Sequence, residues 1–245
     1  MKRVIASCWR GVKELLFPTC CAACGNKLIQ EERIICSSCL SSIARTEHAI
    51  IPDNGIDMLF ADLIYKEKRL VRYQTGAAWA YYNTERGAVL RQLIEKGKFG
   101  IRANPQIFYH LARLAALEYI DSDIMDSVDL IVPVPLHRRR LRQRGFNQSE
   151  YICRALSEVL QLPIDTDHLY RLRNNTHQSR SIFEHRHKNV EGLFAIKNPD
   201  DWKGKHILLV DDVITSGATM LSCMKVISPI PGCRIHVFAL GWAHR

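Results

Sequence analysis

The densest chemistry in the chain lies in Leu209-Val210-Asp211-Asp212-Val213-Ile214-Thr215-Ser216-Gly217-Ala218-Thr219. An apolar run from His206 to Val210 leads into two adjacent carboxylates, then a hydroxyl-bearing loop, then a stretch with helical character. Thr215, Ser216, Gly217, Ala218 and Thr219 can turn N–H groups and hydroxyls toward a phosphate at a helix N-terminus, where the dipole favours an anion. Gly217 lets the backbone approach that phosphate closely. Asp211 and Asp212 would repel a phosphate placed directly on them. A ribose separates the charges: its hydroxyls donate to the carboxylates while its 5-phosphate lies in the loop. The pattern predicts a site for a ribose 5-phosphate ester beyond the carboxyl end of a strand, the usual ligand position in open α/β sheets.

A second constellation stands near the N-terminus. Cys21-x-x-Cys24 and Cys36-x-x-Cys39 are separated by the eleven residues from Gly25 to Ile35. Two such knuckles can set four thiolates around one tetrahedral Zn²⁺, and a closed shell of four sulfurs leaves no catalytic position open. A segment this short buries too little to fold alone, so the metal would supply much of its stability. Cys20 breaks the spacing and is read as a bystander. The chain has nine cysteines in all, an odd number with local pairs, which reads as metal binding in a reducing compartment and not as a disulfide framework.

A third stretch runs from Leu130 to Gln148. An apolar strand-like segment ends at Leu136 and His137, then opens into Arg138, Arg139, Arg140, Arg142 and Arg144, followed by Gly145-Phe146-Asn147-Gln148. The arginines can form a solvated face, clamp diphosphate oxygens through bidentate bonds, or meet nucleic-acid phosphates. Phe146 and Tyr151 are the only aromatics close by, too few for an evident base-stacking platform.

The elements that position these groups alternate along the chain. Strands are expected at 77–82, 129–134, 194–197, 206–210 and 235–240, and helices at 87–95, 105–119, 149–160 and 218–227. Apolar runs such as Ile207-Leu208-Leu209-Val210 suit a parallel sheet covered on both faces. Residues 2–16 have helical periodicity, and 50–73, with weak periodicity and the turn cluster Pro52-Asp53-Asn54-Gly55, read as a connector. The expected division is 1–45, an N-terminal helix with the cysteine module, and 46–245, the α/β domain.

Composition is that of an ordinary globular chain, 47% hydrophobic and 24% charged, and the net charge of +9 points to anionic partners. No apolar stretch approaches the roughly 18 residues of a membrane span, and Arg10 interrupts the N-terminal apolar run before any cleavage site, so the cytoplasm is expected.

The run Leu209 to Thr219 resembles the PRPP motif of type I phosphoribosyltransferases. By that resemblance Asp211 and Asp212 hold ribose hydroxyls and residues 215–219 hold the 5-phosphate, with Mg²⁺ accompanying PRPP. Thr215 stands where hypoxanthine-type members carry aspartate, which disfavours that base chemistry. The order of motifs resembles the ComF (GntX-like) family, associated with natural competence, over roughly residues 15–242. It runs from the four cysteines through Leu93 to Phe99 and Val132 to Gln148. Then come Arg173, Thr176, His177, Gln178, Ser179, Arg186, Asn189 and Val190, and finally the PRPP motif. The resemblance implies a type I phosphoribosyltransferase-like fold with a zinc module. It gives Leu136, His137, Arg138 and Arg139 a pyrophosphate role, and Arg144, Asn147 and Gln148 the place of a mobile flap. It leaves two functions open. One is phosphoribosyl transfer with release of pyrophosphate; the other is a non-catalytic factor that binds single-stranded DNA and serves DNA uptake with the competence machinery. His177, Gln178, Arg186 and Lys98 are further candidates for contact with the ligand.

Overall fold

The structure is a computed structural model that describes residues 19–29, 31–48, 50–51, 53–67, 70–83, 86–99, 103–172 and 192–243. The expected helix over 2–16 and the candidates Arg173, Thr176, His177, Gln178, Ser179, Arg186, Asn189 and Val190 lie outside these residues.

In chain order the elements are α1 (Ser37–Ser41), α2 (Gly55–Tyr65), β1 (Tyr73–Tyr81), α3 (Ala88–Lys98), α4 (Gln106–Tyr119), α5 (Asp123–Asp126) and β2 (Leu130–Pro133). They continue with α6 (Arg138–Arg144), α7 (Gln148–Leu160), β3 (Leu169–Arg171), β4 (Phe194–Ile196), a 3-10 turn (Pro199–Trp202), β5 (His206–Ile214), α8 (Ala218–Ile227) and β6 (Arg234–Trp242). Four strands form one sheet in the order β1-β6-β5-β2, with every neighbouring pair parallel.

The sheet is covered on both faces, and β5 shows why its sequence is continuously apolar. Leu208 and Val210 belong to a buried cluster with Leu90, Leu93, Phe108, Leu111, Ile152 and Leu156 from α3, α4 and α7. Ile207 and Leu209 belong to another, with Ile56 and Phe60 of α2 and Met220 and Met224 of α8. Successive side chains of a strand point to opposite faces, so a strand with two covered faces has no position for a polar residue until it leaves the core.

Three local expectations change. Residues 50–73 are not a plain connector, because α2 lies within them. Asn54 Oδ1 accepts from Ile56 N at 2.9 Å and Asp57 N at 3.2 Å, an N-cap that makes Asn54-Gly55 a helix start. Ile56, Phe60 and Leu63 form its buried stripe, while the exposed Met58 and Tyr65 blur the period in the sequence. Next, β4 does not join the parallel sheet; it pairs antiparallel with β3, a strand the sequence reading did not contain. Finally, β5 runs past Val210 to Ile214, so both aspartates sit on the paired strand, with Asp211 opposite Ala239 and Ile214 opposite Trp242 of β6.

The cysteine segment shares the core of the sheet. Cys21, Ala23, Leu28, Ile35, Cys36 and Ile43 are buried in the same cluster as Leu93 and Phe108. Residues 44–46 run antiparallel to the end of β1, with Tyr81 N donating to Ala44 O at 3.0 Å and Thr46 N to Trp79 O at 3.2 Å.

Candidate functional site

Asp211 and Asp212 are adjacent on β5 but meet different partners. Asp211 Oδ1 accepts from Ser149 Oγ at 3.0 Å and from Asp212 N at 2.8 Å. Burial, and then the neighbouring Asp212 charge, push the Asp211 carboxyl up to about 7, against the opposing pull of its hydrogen bonds and of Lys98. Asp212 Oδ2 meets Lys98 Nζ at 2.6 Å, with only 6% of the aspartate and 15% of the lysine side chain exposed. Among the described residues the two carboxylates meet one close ammonium and one close hydroxyl, which leaves lone pairs for further donors of the kind a vicinal diol supplies.

The loop after β5 is shaped by one glycine. Gly217 has φ +70°, and a Cβ there would stand 2.7 Å from Leu63 Cδ1. Glycine alone satisfies both demands, the left-handed conformation and the contact with α2. Thr215 and Ser216 are exposed on the way into the turn. Gly217 is the N-cap of α8 and offers no side chain, and Leu221 N donates to Gly217 O at 2.9 Å. The first N–H groups of a helix have no intrahelical partner, so Ala218, Thr219 and the residues around them present donors and the positive dipole end together.

In the segment from Leu136 to Gln148, Asn147 and Gln148 are buried while Arg138, Arg139, Arg142 and Gly145 are exposed. His137 Nδ1 accepts from Arg139 N at 3.2 Å and starts α6, while Arg138 and Arg139 point into solvent. Asn147 is buried: its Nδ2 donates to Val134 O at 3.1 Å and its Oδ1 caps α7 by accepting from Ser149 N at 3.2 Å. Arg144 donates to Oε1 of the buried Gln148 at 2.6 Å and lies over the Phe99 ring, 5.2 Å from its centroid. Burial lowers the Arg144 guanidinium, and the charges of Asp212 and Asp211 pull the other way, so this arginine belongs to the electrostatic surroundings of the acid pair. Arg171 of β3 feels Asp211 as well, and burial followed by the Arg140 charge lowers it. Leu136 is half-buried where β2 gives way to α6.

The structure therefore gathers Asp211, Asp212, Arg144 and Gln148 with Lys98, and leaves Arg138 and Arg139 exposed on α6. Sequence reasoning missed Ser149 and Arg171. Ser149 stood only as the first residue of an expected helix, and Arg171 lies on a strand too short to show a pattern.

The Sγ atoms of Cys21, Cys24, Cys36 and Cys39 all lie within 4.8 Å of one another, as four sulfurs around one ion require, and they can hold a metal ion such as zinc. The thiols differ: the Cys36 thiol is raised, and burial together with the neighbouring sulfurs pushes Cys39 up to about 12. Burial acts to raise the Cys21 thiol, but N–H groups of Cys36, Cys24 and Ala23 aimed at its sulfur bring it down to about 6. The Cys36 N to Cys21 Sγ distance is 3.3 Å. Cys20 is exposed and outside the cluster, its backbone bridged to Lys27.

A cleft of about 880 Å³ opens elsewhere, beside α2 and the start of β1, where it is lined by His48, Asp57, Tyr73 and Thr75 among others. Of its two lining aspartates, Asp53 and Asp57, Asp57 is already engaged, accepting from Tyr73 Oη, Thr75 Oγ1 and Gly76 N. The chemistry favours the acid pair over this cleft.

A parallel sheet with helices on both faces, a strand carrying two adjacent carboxylates and a glycine-capped helix define a phosphoribosyltransferase-like domain, here with a four-cysteine knuckle built onto its core. The chain belongs to the phosphoribosyl transferase domain family, whose profile matches residues 101–241. It is 30% identical over 234 residues to DNA utilization protein YhgH of Escherichia coli strain K12, covering 92% of this chain and 98% of that one. Competence protein F of Haemophilus influenzae is 29% identical over 137 residues, 54% of this chain and 60% of its own. Competence protein ComFC of Bacillus subtilis is 36% identical over 91 residues, 37% of this chain and 35% of its own. The resemblance to ComF proteins is borne out by these relatives together with the cysteine cluster near the N-terminus.

Proposed function

We propose that the acid pair and the Gly217 turn bind PRPP. Asp211 and Asp212 accept from the ribose hydroxyls, and Thr215, Ser216, Gly217, Ala218 and Thr219 surround the 5-phosphate. Arg144 and the turn from Leu136 to Arg139 face the diphosphate, with Gln148 and Asn147 holding Arg144 and the start of α7. Mg²⁺ arriving with PRPP neutralises diphosphate charge. If transfer occurs, the bond from the anomeric carbon to pyrophosphate breaks as an acceptor bonds that carbon. The protein's part is to position the sugar and offset charge on the leaving group. Zinc at Cys21, Cys24, Cys36 and Cys39 is structural. In this reading residues 1–45 form the zinc module and 46–245 the PRPP-binding domain, and thiolate ligands suit the reducing cytoplasm.

The observation that carries the reading is the sequence of fixed parts on one strand and one turn: two partly satisfied carboxylates, a left-handed glycine, and a helix start without a side-chain cap. Titration calorimetry of the zinc-loaded protein with PRPP and Mg²⁺ tests it. Binding should fall about 100-fold or more in the double variant Asp211→Asn/Asp212→Asn, since hydrogen bonds to charged groups contribute about 1.5–3 kcal/mol each. Absence of binding to the intact protein would overturn it.

The exposed Arg138, Arg139 and Arg142 on α6, with the net charge of +9, favour a second role, contact with single-stranded DNA during uptake. This agrees with the competence and DNA-utilization names of the relatives. Affinity for an oligonucleotide should fall steeply with salt and lose part of its slope in Arg138→Ala/Arg139→Ala. A slope unchanged by that replacement removes α6 from the DNA surface.

A further inference from the structure

Helix α3 ends in Lys96-Gly97-Lys98, and its two lysines engage different parts of the molecule. Lys98 Nζ pairs with Asp212 Oδ2 at 2.6 Å in nearly buried surroundings. Lys96 Nζ donates to Ala22 O at 2.7 Å and Ala23 O at 3.2 Å, the two carbonyls between Cys21 and Cys24. Two residues apart on a helix are about 200° apart around its axis, so one turn can face the cysteine knuckle on one side and β5 on the other.

That turn has little room to shift. Gly97 is buried, and a Cβ there would stand 2.6 Å from the ring of Phe108, itself fully buried on α4. Phe99 N closes the turn by donating to Glu95 O at 3.0 Å. The knuckle side is equally defined: Cys21, Ala23 and Cys36 share the buried cluster that contains Leu93 and Ile94 of the same helix. Four thiolates on a metal would pin the loop that carries the Ala22 and Ala23 carbonyls, because both lie between two of the ligands.

Asp212 depends on its ammonium. Two adjacent carboxylates at low exposure repel, and one without a cation beside it turns away from its neighbour, losing the geometry needed to accept from a diol. The 2.6 Å ion pair with Lys98 fixes the orientation of the Asp212 carboxylate.

We propose that Lys98 is a positioning residue for the acid pair and that the last turn of α3 couples it to the cysteine knuckle, so that metal at the knuckle and a sugar phosphate at Asp211 and Asp212 strengthen each other's binding. The inference rests on the acid pair being a ribose-phosphate site. Coupling of this kind is reciprocal: whatever factor metal contributes to ligand affinity, the ligand returns to metal affinity.

The experiment uses zinc-loaded full-length protein as wild type, Lys96→Met, Lys98→Met and Lys98→Arg. Three readouts are taken: affinity for PRPP with Mg²⁺, the rate of zinc release to a chelator with and without PRPP, and amide exchange across residues 209–214. PRPP should slow zinc release from the wild type about fivefold or more, within the usual range of coupling. Lys96→Met, a change at an exposed position, should abolish that slowing and weaken PRPP by a similar factor. Lys98→Met should weaken PRPP about tenfold or more, and Lys98→Arg should restore most of the loss. The proposal is overturned if PRPP binds the wild type yet leaves zinc release unchanged, or if Lys96→Met binds PRPP as tightly as the wild type. Should the wild type bind no PRPP, the ligand assignment fails separately, and exchange decides the coupling. Faster exchange over 209–214 in Lys96→Met supports it, and unchanged exchange refutes it.

Discussion

Ser149 Oγ donates to Asp211 Oδ1 at 3.0 Å, tying the first turn of α7 to the first acid of β5. Ser149 N is itself held by the Asn147 cap, so the hydroxyl is delivered by a buried helix start and not by a mobile loop. The arrangement means that the aspartate's orientation is determined before any ligand arrives.

Replacing Ser149 with alanine removes that donor without leaving a large hole. The Asp211 carboxyl should rise further above the ordinary carboxylate range, since one stabilising bond to its charged form is lost. Stability at pH 8 should fall by about 1–2 kcal/mol, and PRPP affinity should drop with it. Urea denaturation and calorimetry of the same variant check both.

The pH dependence has a definite sign. The Asp211 carboxyl is pushed up to about 7 in the folded protein from an ordinary 3.8, so the fold favours its protonated form. The associated stability is fully present below the unfolded value and is lost as pH rises through about 7. Asp211→Asn mimics the protonated group and should melt higher than the wild type at pH 8, with the difference shrinking to nothing near pH 4. Melting curves from pH 4 to 9 would refute the assignment if the two proteins ran parallel.

Gly217→Ala combines a left-handed φ of +70° with a Cβ 2.7 Å from Leu63 Cδ1. The strain should cost about 1–3 kcal/mol and shift the turn that precedes α8. Trimming the obstructing side chain in Gly217→Ala/Leu63→Ala should not recover ligand binding fully, because the φ penalty remains. Denaturation midpoints and PRPP affinity of the single and double variants separate the two contributions.

The cysteine cluster predicts about one zinc per chain by metal analysis. Cys24→Ser and Cys39→Ser should each lose the metal and much stability, while Cys20→Ser keeps both, since Cys20 lies outside the cluster. Chelation should lower the melting temperature by several degrees or unfold the N-terminal segment. Full zinc retention in Cys39→Ser would refute the four-thiolate site.

What the sequence by itself determined was whatever depends on neighbours along the chain. The two C-x-x-C pairs, the apolar approach to Asp211 and Asp212, the glycine turn and the alternation of elements are local patterns, and each was legible because backbone geometry translates short spacing directly into shape. The structure of α2 was obscured because its buried stripe, Ile56, Phe60 and Leu63, is mixed with exposed apolar residues that only packing can discount. The tertiary structure alone decided which charge meets which. Lys98 and Asp212 are far apart in sequence, as are Ser149 and Asp211, and no periodicity links them; the order of strands and the docking of α3 and α7 on one face of the sheet bring them within bonding distance. The same docking separated the arginines, turning Arg144 inward over Phe99 and leaving Arg138 and Arg139 in water. A run of like residues has no inside or outside until a helix is laid against something.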